Sequence, residues 1–136
     1  MPSIVGKYKL ETSDKFDEFM KELGVGLVMR KMGNAATPTV EITEEDGTYT
    51  VKTITTFKTT EIKFKIGEEF EETTADGRVV KATVTQEGTK WTHNQIGDKK
   101  KGEKDSVLLR EFTDDGFKME CKVDDVVCTR FYKRIE

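Results

Sequence analysis

The regular spacing of turn signals is the feature that most constrains this chain. Asp46-Gly47, Gly67, Asp76-Gly77, Glu87-Gly88, Gly97 to Gly102, Asp115-Gly116 and Asp124-Asp125 punctuate it roughly every eight to twelve residues, with short runs rich in Thr, Val, Ile and Phe between them. That is the spacing of strands joined by hairpins. Proline stands only at positions 2 and 38, so nothing interrupts the runs. Ten strands are expected, near 5–12, 39–45, 48–55, 59–66, 70–74, 78–87, 90–96, 106–113, 117–123 and 126–133. Such a meander leaves two open edges unless it closes, so the expected fold is all-β: a ten-stranded antiparallel up-and-down barrel, one domain over 1–136.

One stretch departs from this pattern. From Ser13 to Asn34 the apolar period becomes helical, with Phe16, Phe19, Met20 and Leu23 on one stripe. Ser13 or Asp14 suits the N-cap, Gly24 the stop, and Gly26 the start of a second short helix through Val28 and Met32. A helix-turn-helix over about 14–35 is the natural lid for one end of the barrel.

Composition excludes several classes. Apolar residues are 35% and charged residues 36%, yet eight Phe, three Tyr and one Trp spread along the chain argue for a folded domain. The net charge of −3 is well mixed, so nucleic acid is not an expected partner. The N-terminus lacks the apolar run of a signal peptide and no segment suits a bilayer span, which makes the cytoplasm the expected location. One His and two Cys without metal-ligand spacing predict no metal and no cofactor.

Alternation lists the inward face. Ile62, Phe64 and Ile66 set the parity of their strand. The same logic points Tyr49, Val51, Thr53, Thr55, Phe70, Glu72, Val80, Ala82, Val84, Trp91, His93 and Gln95 inward. Leu108, Arg110, Phe112, Phe117, Met119, Cys121, Val123, Val126, Cys128, Arg130 and Tyr132 follow. Two arginines in a dry core would be costly; a water-containing cavity removes most of that cost and explains the low apolar content. The opposite register would instead bury Thr129, Lys133 and Glu111. An apolar wall with paired guanidiniums and a tyrosine hydroxyl suits a long hydrocarbon that carries a carboxylate.

The segments GKYKLETSDKFDEFMKELGVG, TTFKTTEIKFKIGEEFEETTADGR, LLRE and CTRFYKR together resemble the intracellular fatty-acid-binding proteins, nearest the heart, muscle, adipocyte and myelin branch. The resemblance covers essentially the whole chain. It implies a non-enzymatic carrier of a long-chain fatty acid, with the carboxylate on Arg110, Arg130 and Tyr132. It further implies a portal at Val28, Met29, Met32, Phe57-Lys58 and Ala75-Asp76, with Phe57 as gate. Phe16, Met20, Pro38, Thr53 and Met119 correspond to tail contacts, and Thr55 joins them on the inward face.

Lys15, Met29 and the long charged loop Gly97 to Ser106 depart from the family pattern. That loop reads as a solvated hairpin tip. Lys21, Arg30 and Lys31 read as a solvated face that, by resemblance, touches anionic membranes transiently; the chain is expected to be a monomer. Cys121 and Cys128 flank a two-residue turn and should lie opposite each other, as free thiols in a reducing compartment. Three alternatives stay open: a carrier of a retinoid or bile acid, a barrel enzyme using His93, and a signalling adaptor.

Overall fold

The computed structural model describes residues 3–136; Met1 and Pro2 lie outside the described residues. The elements run β1 (Gly6–Asp14), α1 (Phe16–Leu23), α2 (Leu27–Ala35), β2 (Thr39–Glu45), β3 (Thr48–Ile54), β4 (Thr59–Lys65), β5 (Phe70–Thr73), β6 (Val79–Glu87), β7 (Lys90–Ile96), β8 (Ser106–Thr113), β9 (Gly116–Val123) and β10 (Val126–Arg134). All ten strands join one sheet in the order β4-β3-β2-β1-β10-β9-β8-β7-β6-β5. Each pairing is antiparallel, and β1 links the two halves by pairing with both β2 and β10.

The ten strands form the expected barrel, with one gap in its backbone pairing. β4 and β5 are the sheet's two ends and share no ladder. Side chains bridge them instead, the Phe64 and Phe70 rings stacking with centroids 5.4 Å apart. The barrel is therefore nearly closed, and its edges are covered by aromatic packing rather than by backbone pairing.

The register of the inward face is as the alternation predicts. Arg110 is 8% exposed, Arg130 3%, Tyr132 5% and Cys128 0%, whereas Lys133 and Glu111 face solvent. Cys121 and Cys128 are cross-strand partners and both are free.

The core comes in two pieces. One centres on Tyr8, Ile42, Phe64, Trp91, Phe112 and Phe117, with the Trp91 and Phe112 rings edge to face. The other joins Phe19, Met20 and Val25 of the helical region to Cys121, Val123 and Cys128.

The helix start differs from expectation. β1 runs through Ser13 and Asp14, and Lys15 is the N-cap, with φ 64° and no side-chain cap. A β-bulge between Leu10 and Thr12 shifts the end of β1, so the chain must turn sharply at Lys15. α1 ends where expected, at Gly24 in the left-handed region.

α2 is held by polar ties. Arg30 donates to Asp17 Oδ1 at 3.2 Å and to the Val25 carbonyl at 2.7 Å, and Asn34 donates to the same Asp17 oxygen at 2.9 Å. Arg30 thus clamps the two helices and does not belong to the solvated face read from the sequence. Gly33 permits the close approach, since a Cβ there would lie 2.9 Å from Met20 Sδ. The apolar side of α2 is left largely bare, with Leu27 58% and Val28 72% exposed.

The Gly97 to Ser106 loop is exposed from Lys99 to Gly102, as a solvated tip, and is folded on itself. It forms a 3-10 turn at Lys99–Lys101 capped by Asp98. Lys104 then reaches Glu22 of α1 at 2.5 Å and Asp124 of the β9–β10 turn at 2.6 Å.

Candidate functional site

A cavity of about 330 Å³ lies between the two core pieces. Of the residues singled out from the sequence, the carboxylate set Arg110, Arg130 and Tyr132 lines it, together with Phe16, Met20, Pro38, Thr53, Thr55, Phe57, Ala75, Asp76 and Met119. Strand alternation brings Met119, Arg110, Arg130 and Tyr132 onto one wall, since Met119 stands opposite both arginines in the register. The lid supplies Phe16, Phe19 and Met20 from above.

The mouth is marked by residues that line the cavity and are also exposed: Met29 41%, Met32 38% and Phe57 50%. Val28, named with the portal, does not line the cavity and faces outward. Lys58 Nζ donates to the Ala75 carbonyl at 3.1 Å, which ties the β3–β4 turn to the β5–β6 turn at this opening.

The polar end has a definite wiring. Arg110 Nη1 approaches His93 Nδ1 at 3.2 Å, and His93 Nε2 lies 2.8 Å from Glu72 Oε1. A guanidinium can only donate, so Nδ1 is the acceptor and Nε2 carries the proton toward Glu72. Gln95 donates to both Glu72 oxygens at 3.1 Å and accepts from Ser106 Oγ at 2.7 Å. Burial opposes the charge on Glu72, but the bonds from His93 and Gln95 and the field of Arg110 hold its carboxyl below the usual range. Burial likewise lowers His93, reinforced by Arg110 and resisted by Glu72. The imidazole is thus a neutral bridge between a cation and a carboxylate.

Arg130 is placed differently. Its Nη1 donates to Ser13 Oγ at 3.4 Å, and its guanidinium carbon stands 3.8 Å over the Phe16 ring. Burial pushes the Tyr132 hydroxyl up, opposed by Arg130, so the phenol stays a neutral donor. Among the described residues neither Arg110 nor Arg130 makes a direct ion pair. A buried guanidinium without a carboxylate is a ready anion site.

Residues 5–135 match the lipocalin / cytosolic fatty-acid binding protein family. The chain belongs to that family. Within it, the chain is 52% identical over 133 residues to sodium/calcium exchanger regulatory protein 1 of Doryteuthis pealeii, covering 98% of this chain and 97% of that one. It is 49% identical over 138 residues to cellular retinoic acid-binding protein 2 of Mus musculus, with 98% and 99% covered. A solved Schistosoma mansoni fatty acid binding protein in complex with arachidonic acid superposes with a TM-score of 0.91 at 41% identity, covering 97% of this chain and 96% of that one.

Sequence reasoning missed the polar set at the mouth. Thr74 Oγ1 donates to Asp76 Oδ1 at 2.6 Å, and Arg78 pairs with Asp76, all three lining the cavity. Thr74 and Arg78 share the inward parity of Glu72 and Val80, but they stand at strand ends beside the Asp76-Gly77 turn, and alternation names no partner across a turn.

Proposed function

We propose that this chain is a cytoplasmic, monomeric, non-enzymatic carrier that binds a long-chain fatty acid non-covalently in its one barrel domain. The carboxylate lies on Arg130 and Tyr132 and, directly or through water, on Arg110. The tail runs past Met119 and Thr53 toward Phe57 and the lid. The observation that carries this reading is the pair of buried guanidiniums with no ion pair, beside a neutral buried phenol in a cavity whose walls also carry many Phe, Met and Val side chains. Each methylene taken from water contributes about 0.8 kcal/mol before ordering costs. His93 is engaged on both nitrogens, which supports a structural role over catalysis. The bare apolar residues of α2, flanked by Lys21 and Lys31, support transient contact with anionic membranes.

The test is calorimetric titration with a long-chain fatty acid and with the alcohol of equal length. Arg130→Gln is expected to weaken the acid by about tenfold or more, the scale of a charge-assisted hydrogen bond, and the alcohol much less. Equal losses for both ligands would count against the carboxylate role.

A second reading is favoured by the mouse relative: a retinoid carboxylic acid would use the same guanidiniums. Competition between the two ligand classes separates them. The squid relative's name favours a regulatory role for the barrel; finding no lipid on extraction of protein from its native tissue would support that over transport.

A further inference from the structure

Arg78 lines the same cavity beside Ala75 and Asp76 of the β5–β6 turn, which Lys58 ties to the β3–β4 turn at the mouth. Its Nε donates to Asp76 Oδ2 at 2.7 Å and its Nη2 to Asp76 Oδ1 at 3.2 Å, a forked pair that uses one edge of the guanidinium. Nη1, on the other edge, is buried and meets no acceptor in the protein. Among the described residues it is the only buried side-chain nitrogen or oxygen in that condition. Buried donors of this kind, on a charged group above all, call for a partner.

The place of Arg78 at the mouth decides which part of a ligand it meets. Ala75 and Asp76 bound the opening together with Phe57 and Lys58, and Arg78 joins them through its pair with Asp76. A chain anchored by its carboxylate at Arg130, with its tail directed toward Phe57, meets Arg78 with its tail half.

The local charge decides what Nη1 can accept. Asp76 is held below the usual carboxylate range, since the bonds from Arg78 and Thr74 outweigh its burial. Arg78 is thus already neutralised, and a second carboxylate would face the Asp76 charge. A neutral oxygen faces no such repulsion and fits the remaining donor.

We propose that Arg78 Nη1 forms a distal subsite for a neutral oxygen on the ligand tail, so that the cavity selects long-chain fatty acids hydroxylated, oxidised to a ketone or epoxidised in the tail half. The inference rests on the carboxylate reading above. It is tested with an unsubstituted long-chain fatty acid, its counterparts hydroxylated in the tail half, and its α-hydroxy counterpart. Dissociation constants are measured for the wild-type protein, for Arg78→Met, and for Asp76→Asn/Arg78→Met, which leaves no unpaired buried carboxylate. The preference for at least one tail-hydroxylated acid over the unsubstituted acid is expected to fall about tenfold in both variants, with the α-hydroxy preference unmoved. Tight binding of the unsubstituted acid, with tail-hydroxyl preferences that are the same in all three proteins, would overturn this inference alone. Failure of the wild type to bind the unsubstituted acid would overturn the carboxylate reading and this one with it.

Discussion

His93 controls how the interior responds to acid. Its ring is 1% exposed and sits between Arg110 and Glu72. Because burial holds its folded pKa below the ordinary histidine value of 6.5, the unfolded chain binds a proton first as pH falls. Its contribution to stability is complete above about 6.5 and is lost as pH falls toward the folded value. Glu72, also depressed in the fold, adds a second loss that begins near the ordinary glutamate value of 4.5. Unfolding free energies from urea titration should therefore decline in two stages, the first with a slope of at most about 1.4 kcal/mol per pH unit. His93→Gln should flatten the first stage and keep the second; an unchanged first stage would assign it to another group. His93, Arg110, Arg130 and Tyr132 were all legible in the sequence, because long strands fix parity and each parity choice buries a recognisable set. Arg78 shares the inward parity of Val80, but its pairing with Asp76 was not legible, because alternation does not report contacts made within a turn.

At the scale of elements, the lid is the least uniformly held part. α1 is packed through Phe19 and Met20, whereas no residue of α2 is buried. Arg30 holds α2 to α1 through Asp17 and Val25. Arg30→Ala should cost about 1 kcal/mol in those bonds, accelerate amide exchange in α2, and speed both ligand entry and exit while changing affinity little. Exchange that accelerates equally in the strands would mean that the clamp supports the whole barrel. Both helices were legible from their apolar stripe, yet their start was not. Lys15 adopts a left-handed conformation that costs a lysine roughly 1–2 kcal/mol, and it is imposed by the β1 bulge and by the packing of Phe16 over Arg130. No local preference announces it.

For the whole molecule, turn spacing and alternation gave the ten strands, their order in the sheet and the inward face. The gap between β4 and β5 was not legible, since pairing of the first and last members of a sheet depends on curvature that the sequence pattern does not encode. The aromatic stack of Phe64 and Phe70 covers that gap. The low apolar content is explained at this scale too. The interior is divided between two apolar clusters with a polar-ended cavity between them, so less of the chain has to be hydrophobic. The central claim is that this cavity holds a fatty acid by its ionised carboxylate against Arg130, Tyr132 and Arg110. The most direct measurement is the carbon-13 NMR signal of a carboxyl-labelled long-chain fatty acid bound to the protein and followed through acid pH. One bound signal that fails to titrate across the usual carboxylate range, and that regains normal titration or vanishes in Arg130→Gln, is the expected result. A bound carboxyl that titrates like one in water, or is indifferent to Arg130→Gln, would contradict the account.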